Sequence, residues 1–432
     1  MNRIDVEMNN VTGDKVFKTT LDSGLKVFVC PRKDYTKKMG MFGTVFGSID
    51  NELVDIETKE RSKVPDGIAH FLEHKLFEQE DANALDVFSK MGVDSNAYTS
   101  FDQTVYYFET ADKYEECLEK LIEFVSTPYF TDENVEKEKG IIAQEIKMYE
   151  DEPNAVVYYN LLKCMYEKHP INIDIAGTVE TISKIDKETL YKCYYSYYNL
   201  KNMFLIIIGD VDAEKIIEEV KALISKYYSN RKTDIVQRNK IVEPEEICKK
   251  EIEAKLPISM PIECVGFKLK PQVGKESVKA TIISDIINDI CFSTSSEFYQ
   301  KLYKEGILVS EPDFSFESGR EFSHVVISSF VLSTEKYEKE LFDYIAKLKE
   351  NGVDKEKFEI MLKKKKGEII YNSERLNWIY RSVIESVIQD IDVYSEIDAI
   401  NEVTKEDVDL FIKEKLDMKK LSISKVLPKE AL

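Results

Sequence analysis

Residues 110–122, Thr110-Ala-Asp-Lys-Tyr-Glu-Glu-Cys-Leu-Glu-Lys-Leu-Ile122, recur as Ser333-Thr-Glu-Lys-Tyr-Glu-Lys-Glu-Leu-Phe-Asp-Tyr-Ile345 at a constant offset of 223 positions. The match continues without gaps for nearly forty positions, and Glu145 falls on Glu368. A repeat of this length indicates two copies of one structural unit. The alternative is a chance similarity between two amphipathic helices.

The first copy combines strand and helix patterns. Residues 104–108, Thr-Val-Tyr-Tyr-Phe, are β-branched or aromatic, whereas the apolar residues between Tyr114 and Val125 keep helical spacing. Thr131 and Asp354 occupy matching places before the next predicted helices, where a side-chain oxygen can cap free backbone N–H groups. The pattern therefore predicts two similar α+β domains.

The segment between the copies has the composition of a linker. Residues 229–246 are polar and charged and contain Pro244. We therefore place the boundary near residue 235 and expect one domain over residues 1–235 and another over residues 236–432. The length of 432 residues is consistent with more than one core.

Composition and charge exclude several functional classes. The chain has 80 acidic and 60 basic residues and a net charge of -20, which argues against a nucleic-acid partner. The first ten residues contain no apolar h-region, and apolar stretches such as residues 203–208 are too short to span a membrane. The seven cysteines are scattered singly, as expected for reduced thiols. We expect a cytoplasmic protein that binds neither nucleic acid nor membrane.

A metal-binding pattern lies in the first copy. The stretch Gly67-Ile-Ala-His-Phe-Leu-Glu-His-Lys-Leu-Phe77 reads as a buried helix that is preceded by Asp66 as its N-cap. His70 and His74 are four residues apart, so their imidazoles lie on one helix face and can bind one cation. Glu73 lies close to that face. The alternative is a pair of core histidines beside a solvated glutamate.

A hydrolytic zinc site requires a third protein ligand and an open position for water. The predicted helix over residues 133–148 offers Glu145, which has apolar neighbours, and Glu138, which lies seven residues earlier on the same face. Either carboxylate could be the ligand on spacing alone.

The order H-x-x-E-H is the inverse of the common zincin motif and is a metallopeptidase pattern of its own, the inverzincin motif. Together with residues 138–145, Glu-Lys-Gly-Ile-Ile-Ala-Gln-Glu, it resembles the pitrilysin and insulinase family of zinc peptidases, which includes mitochondrial processing peptidase. Asn96-Ala-Tyr-Thr-Ser resembles the edge strand at the active site of that family. The resemblance covers nearly the whole chain.

The resemblance implies a fold, a cofactor and a reaction. The fold is the LuxS/processing-peptidase-like one, with an antiparallel sheet and helices packed on one face in each of two homologous domains. The site residues implied are zinc ligands His70, His74 and Glu145, catalytic Glu73 and Glu138, and substrate-binding Asn96 and Ala97. The reaction implied is zinc-dependent endopeptidase cleavage of peptides or unfolded segments in an enclosed chamber.

The second copy departs from the family pattern. The offset of 223 carries the metal motif onto Ser293, Ser296 and Glu297, which cannot form the same site. Active members also use an Arg and a Tyr in the second half to grip the substrate carbonyl, but Leu302 and Val309 stand in those places.

We expect a homologous partner subunit to supply the Arg/Tyr pair, so that this chain is the zinc-bearing subunit of a heterodimer. Local divergence with Lys304 as a substitute is one alternative. A catalytically silent structural subunit is another, which the intact metal motif disfavours.

Overall fold

The computed structural model describes residues 3–229 and 231–429, which form two compact units. Unit 1 comprises residues 1–146, 173–239 and 373–394, and unit 2 comprises residues 147–172, 240–372 and 395–432. The division at Asn239 lies close to the predicted boundary, but each unit also takes a segment from the other half of the chain. The division into domains 1–235 and 236–432 stays a prediction.

Among the described residues, unit 1 contains nine strands and most of the helices that precede residue 230. Its elements are β1 Asp5–Met8, β2 Lys15–Thr20, β3 Lys26–Pro31, β4 Lys38–Thr44, β5 Glu52–Val54, β6 Arg61–Lys63, α1 Ile68–Phe77, α2 Ala84–Met91, β7 Asp94–Thr99, β8 Thr104–Thr110, α3 Tyr114–Ser126, most of α4 Asp132–Glu150, α6 Val179–Ile182, α7 Lys187–Tyr197, β9 Met203–Gly209, α8 Ala213–Tyr228 and α13 Leu376–Gln389.

Seven of these strands form one sheet in the order β1-β2-β3-β9-β4-β8-β7. All neighbours are antiparallel except β3 and β9, which run parallel. Strand β7 is an edge strand, because its partner in this sheet is β8 alone.

The core of unit 1 lies between the sheet and a layer of helices. The predicted helical positions Tyr114, Leu118 and Ile122 of α3 are buried in it, together with Tyr106 of β8 and Leu205 of β9. Burial of these large apolar side chains is the main favourable term in folding. Helix α13 also contacts β9, and every residue of β9 is buried.

Unit 2 contains the remaining elements. They are α5 Pro153–Met165, β10 Glu251–Leu256, β11 Ile262–Leu269, α9 Lys275–Ile287, α10 Glu297–Lys304, β12 Asp313–Gly319, β13 Phe322–Phe330, α11 Thr334–Asn351, α12 Lys355–Ser373, α14 Ser395–Ala399, α15 Lys405–Lys415 and β14 Leu421–Pro428. The sheet order is β10-β14-β11-β13-β12, with β10 and β14 parallel and the other pairs antiparallel.

The internal repeat is visible in the elements themselves. Helix α4 begins at Asp132 and α12 at Lys355, and they end at Glu150 and Ser373, so both ends are 223 positions apart. The order β10-β14-β11-β13-β12 corresponds to β3-β9-β4-β8-β7 in unit 1. The predicted α+β fold with two similar sheets is confirmed.

Both predicted caps before the repeated helices are present. The hydroxyl of Thr131 accepts a hydrogen bond from the backbone N–H of Asn134 at 3.1 Å. The carboxylate of Asp354 accepts one from the backbone N–H of Lys357 at 2.8 Å. Each satisfies one of the N–H groups that a helix start leaves free.

The constant offset fails between the first strands and the repeated helices. Ser293 follows a π-helical turn over residues 288–292, whereas Ser296 and Glu297 begin α10. In the first half, α1 is the first helix after β4. In the second half, the first helix after the corresponding strand β11 is α9. These three positions are therefore not the structural counterparts of the metal motif, because the connections between strands differ in length. Helix α9 contains neither histidine nor cysteine.

Within residues 3–229 and 231–429, no helix combines the length and the apolar character that a membrane crossing requires.

Candidate metal centre

Helix α1 begins at a glycine rather than at the predicted aspartate cap. Gly67 is the N-cap, with φ of +91° and no side-chain hydrogen bond, whereas the carboxylate of Asp66 accepts a hydrogen bond from the Asn51 amide. A Cβ atom on Gly67 would lie 2.3 Å from the carbonyl oxygen of Ala176. The start of α1 is thus held against the Ala176 backbone by a contact that only glycine permits.

The two histidines of α1 lie side by side, as their spacing predicts. Their ring centroids are 4.6 Å apart. His70 is 9% exposed, and the side chain of His74 is partly exposed. Both rings therefore line one face of a helix that is otherwise almost wholly buried.

Helix α4 brings Glu145 to these rings. Its Oε1 atom lies 3.8 Å from Nε2 of His70, and its Oε2 atom lies 3.6 Å from Nε2 of His74. One ligand atom from each of the three residues lies within 4.8 Å of the others, and no other such group of His, Cys, Asp or Glu occurs in the described parts of the chain.

The donor set suits zinc. Zinc bonds of about 2.1 Å in a tetrahedron would separate neighbouring ligand atoms by roughly 3.4 Å, close to the two distances from Glu145. Two imidazoles and one carboxylate are a common catalytic set that leaves a fourth position open.

Glu138 occupies a different place from Glu145. Its Oε1 atom lies 3.0 Å from Nδ1 of His74, on the side of the ring away from Glu145. A carboxylate there favours the proton on Nδ1 and leaves the Nε2 lone pair for a cation. Of the two carboxylates that spacing leaves open, Glu145 faces both histidines and Glu138 orients one of them.

A buried lysine adjoins Glu138. Lys75 is fully buried, its ammonium pairs with Glu78, and it lies 4.0 Å from Oε2 of Glu138. Buried lysines are rare unless they are paired. The two oxygens of Glu138 therefore face His74 and Lys75.

Glu73 is 8% exposed and lies on the same helix between the two histidines. Its Oε2 atom accepts a hydrogen bond of 2.7 Å from the hydroxyl of Thr99 at the end of β7. Burial raises the pKa of Glu73, although the hydrogen bond from Thr99 and the charge of His74 act against this.

The two histidines differ in charge behaviour. Burial, assisted by the charge of His74, lowers the pKa of His70 to about 3, so that its imidazole is neutral at physiological pH. Burial also acts to lower the pKa of His74, but the hydrogen bond to Glu138 and the nearby carboxylates outweigh it and raise the pKa overall. A cation at this site would compete with the proton on His74.

The predicted substrate strand lies at the edge of the sheet. Asn96 and Ala97 are on β7, and the Asn96 side-chain oxygen accepts a hydrogen bond of 2.8 Å from the backbone N–H of Ala97. This N–H therefore has an acceptor in the side chain of the preceding residue.

A cleft of 640 Å³ opens beside these residues. It is lined by Glu73, His74, Glu138 and Asn96 and by the loop after α1, which carries Glu78, Glu80 and Asp81. Five of the lining residues are acidic, and apolar side chains such as Phe77 and Leu85 also line the cleft.

The stretch aligned with the Arg/Tyr segment has neither Arg nor Tyr at the two matching positions. Leu302 is fully buried in α10, and Val309 is 40% exposed after it. Lys304, the substitute considered above, is exposed at the end of the same helix.

Two neighbours of the site were missed by sequence reasoning. Lys75 directly follows His74 in an apolar run. A charged residue in a helix that is predicted to be buried indicates an ion pair near the site. Thr99 is part of the quoted Asn96-Ala-Tyr-Thr-Ser stretch, but only the structure shows that its hydroxyl reaches Glu73.

A repeated α+β fold with an H-x-x-E-H helix and a distant glutamate defines a class, the metallopeptidases of the inverzincin type. Residues 57–179 match the family profile Insulinase (Peptidase family M16), and residues 184–365 match Peptidase M16 inactive domain. The chain belongs to peptidase family M16, the pitrilysin and insulinase family.

Individual relatives agree with this assignment. The chain is 37% identical over 418 residues to the uncharacterized zinc protease YmfH of Bacillus subtilis (strain 168), covering 96% of this chain and 97% of that protein. An M16-like peptidase from Alicyclobacillus acidocaldarius superposes with a TM-score of 0.90 at 31% identity, covering 96% of this chain and 99% of that chain. Pitrilysin shares the fold, with a TM-score of 0.75 at 15% identity, over 100% of this chain and 47% of its own.

Proposed function

We propose that this chain is a zinc-dependent endopeptidase that binds zinc through His70, His74 and Glu145. The observation that carries the proposal is the convergence of these three ligand atoms within 4.8 Å, on two helices that are far apart in sequence. Core histidines that serve packing alone do not require a carboxylate from a second helix facing both rings.

Glu73 is the proposed general base. A bound zinc ion supplies Lewis acidity and lowers the pKa of a water molecule to about 7. Glu73 takes the proton of the attacking water and returns it to the leaving amine, as a buried carboxylate with a raised pKa is suited to do. Glu138 assists by holding the ring of His74 in one orientation.

The substrate is proposed to be a peptide or an unfolded segment that adds as a strand to β7. An exposed sheet edge offers backbone groups for such an addition. In this binding mode the N–H of Ala97 exchanges the Asn96 oxygen for a substrate carbonyl, at a strand whose other end contacts Glu73.

A second subunit is proposed to complete the site. The second half of this chain has Leu302 and Val309 where active relatives have Arg and Tyr, and loss of one oxyanion donor typically costs about 10²–10³ in rate. We propose a heterodimer in which a homologous subunit supplies the Arg/Tyr pair and helps to enclose the substrate in a chamber. A cytoplasmic location is proposed from the seven singly scattered cysteines, the pattern expected for reduced thiols.

The test combines zinc analysis with cleavage of an internally quenched peptide library, with and without a homologous subunit that carries Arg and Tyr. We expect about one zinc per chain, weak activity alone and recovery with the partner. Full activity of the isolated chain would refute the heterodimer but not the peptidase. Absence of zinc and of cleavage in both preparations would instead support a catalytically silent structural subunit.

A further inference from the structure

The hydrogen bond between Thr99 and Glu73 joins two elements that the proposed function uses separately. Glu73 lies on α1 with the two histidines, and Thr99 is the last residue of β7, two positions after Ala97. The Thr99 hydroxyl donates a hydrogen bond of 2.7 Å to Oε2 of Glu73. The proposed base is therefore attached directly to the proposed substrate strand.

Thr99 is itself held firmly in the β7–β8 hairpin. It pairs with Thr104 across the hairpin, and the two hydroxyl oxygens are 3.3 Å apart. The Thr104 hydroxyl lies 2.9 Å from the carbonyl oxygen of Phe46 and donates a hydrogen bond to it. The hairpin end thus has a fixed position relative to the chain that follows β4.

The chain after β4 packs directly against the hairpin loop. The backbone N–H of Ser48 donates to the carbonyl of Ser100 at 3.1 Å, and that of Ile49 donates to the carbonyl of Phe101 at 2.9 Å. A Cβ atom on Gly47 would lie 2.5 Å from the Phe101 backbone, so the two segments are in direct contact. Little freedom remains for Thr99 to follow a moving carboxylate.

The hydroxyl protons can be assigned from these contacts. Each hydroxyl has one proton. The proton of Thr104 goes to the Phe46 carbonyl, and that of Thr99 goes to Oε2 of Glu73. Oε1 of Glu73 is then the oxygen left to exchange a proton with water.

We propose that Thr99 is a positioning residue for the general base. Thr99 holds one oxygen of Glu73 and thereby aims the other at the reacting water. This inference rests on the proposed function. It also means that the strand that binds the peptide orients the base, so that a displacement of β7 would misplace Glu73. Misplacement of a catalytic group by about 1 Å can cost on the order of 10²-fold in rate.

The test compares Thr99→Val, which removes the hydroxyl at nearly constant shape, with Thr99→Ser, which keeps it. Cleavage of the library peptide that the wild type cuts best is measured in the presence of the partner subunit. We expect Thr99→Val to lower kcat by about 10- to 100-fold, with KM changed by less than about 3-fold and zinc content unchanged. Thr99→Ser keeps the hydroxyl, so its kcat should stay within about 3-fold of that of the wild type.

The matched control is Thr44→Val. The Thr44 hydroxyl is fully buried, donates to the carbonyl of Tyr197 at 2.7 Å and accepts from the Asn202 amide at 3.1 Å. Thr44→Val therefore removes at least as much buried hydrogen bonding as Thr99→Val, without contact to Glu73. We expect this variant to lose stability but to keep the wild-type kcat. A loss of kcat equal to that of Thr99→Val would show a general effect of lost stability and would overturn the positioning role.

Crystal structures of the zinc-loaded wild type and of Thr99→Val give a readout that does not depend on turnover. We expect the Glu73 carboxylate to contact Thr99 in the wild type and to rotate in the variant. The inference would be overturned if Glu73 kept its position in Thr99→Val, or if the wild type were active and Thr99→Val had the same kcat. Either result would leave the proposed function standing. A wild type that cleaves no peptide with its partner would overturn both.

Discussion

Nδ1 of His74 lies 3.0 Å from Oε1 of Glu138, whereas Nε2 of the same ring lies 3.6 Å from Oε2 of Glu145. The two nitrogen atoms of one imidazole thus face two carboxylates of one helix. Their separation of seven positions corresponds to about two turns of α4, so both carboxylates project from the same side of the helix. One carboxylate faces Nδ1 of the ring, and the other faces Nε2, the nitrogen that the proposed zinc site uses.

This relationship predicts the effect of Glu138→Gln. The amide oxygen can still accept a hydrogen bond from His74, but the negative charge that favours the Nδ1 proton is lost. We expect zinc affinity to fall by about 10- to 100-fold, as for other partners of metal ligands. Competition with a chromophoric chelator measures this affinity. Glu136→Gln is the control, because Glu136 is on the same helix with its side chain 70% exposed. Equal zinc affinity of all three proteins would contradict the assignment.

Glu73→Gln is predicted to separate metal binding from catalysis. Glutamine has nearly the same shape and can still accept the hydrogen bond from Thr99, but it cannot take a proton from water. We expect normal zinc content and a loss of at least about 10²-fold in kcat. Zinc analysis and peptide cleavage with the partner subunit check both points, with the exposed Glu133→Gln as control. Wild-type turnover by Glu73→Gln would remove Glu73 from the mechanism.

The parts of the fold and the site that depend on local pattern could be predicted from the sequence. His70 and His74 lie together because helical spacing alone places them there. Tyr114 and Tyr337, in register in the repeat, are both buried, because each lies on the apolar face of an amphipathic helix. Helical spacing predicts the helix of Tyr114, and the repeat predicts that of Tyr337.

The remaining features depend on contacts between distant parts of the chain. The choice between Glu138 and Glu145 depends on how α4 packs against α1, which spacing within α4 cannot reveal. Asp66 is a normal capping residue by type, but the close approach of Ala176 requires Gly67 at the N-cap instead. The parallel pairing of β3 with β9 joins strands almost 180 residues apart and has no local signature.

The tight contact at Gly67 predicts a structural requirement for the proposed metal site. In Gly67→Ala the new methyl group would clash with the Ala176 carbonyl, at a backbone φ of +91° that other residues rarely adopt. We expect a loss of about 2–4 kcal/mol in unfolding free energy, together with weaker zinc binding. Chemical denaturation and chelator competition provide the measurements.

Gly140→Ala is the matched control for this substitution. Gly140 lies inside α4, and nothing is within 4 Å of a Cβ atom placed there. Alanine in a helix interior is favoured over glycine by up to about 1 kcal/mol. We therefore expect a small gain in stability and unchanged zinc affinity. If both glycine variants behaved alike, the contact with Ala176 would not be the cause.

A buried carboxyl in unit 2 provides a prediction for pH dependence. Glu263 of β11 is fully buried, and neither of its carboxylate oxygens has a hydrogen-bond partner among the described residues. Burial raises its pKa to about 8, with a further contribution from Glu338 and an opposing one from Lys425. Lys425 pairs with Glu251 and Glu338 at 2.7 Å each, so its charge is already compensated.

Glu263 is therefore predicted to destabilise the folded chain as the pH rises. Its pKa is higher in the folded state than the ordinary value of 4.5, so the folded state binds the proton more tightly, and stability falls between about pH 4.5 and pH 8. The unfolding free energy changes with pH by at most about 1.4 kcal/mol per pH unit through this group.

We expect Glu263→Gln to resemble the wild type at pH 5 and to be more stable by several kcal/mol at pH 9, because glutamine cannot ionise. Denaturation at pH 5, 7 and 9 tests this, with the exposed Glu253→Gln as control. A difference between Glu263→Gln and the wild type that stays constant with pH would mean that Glu263 does not titrate in this range.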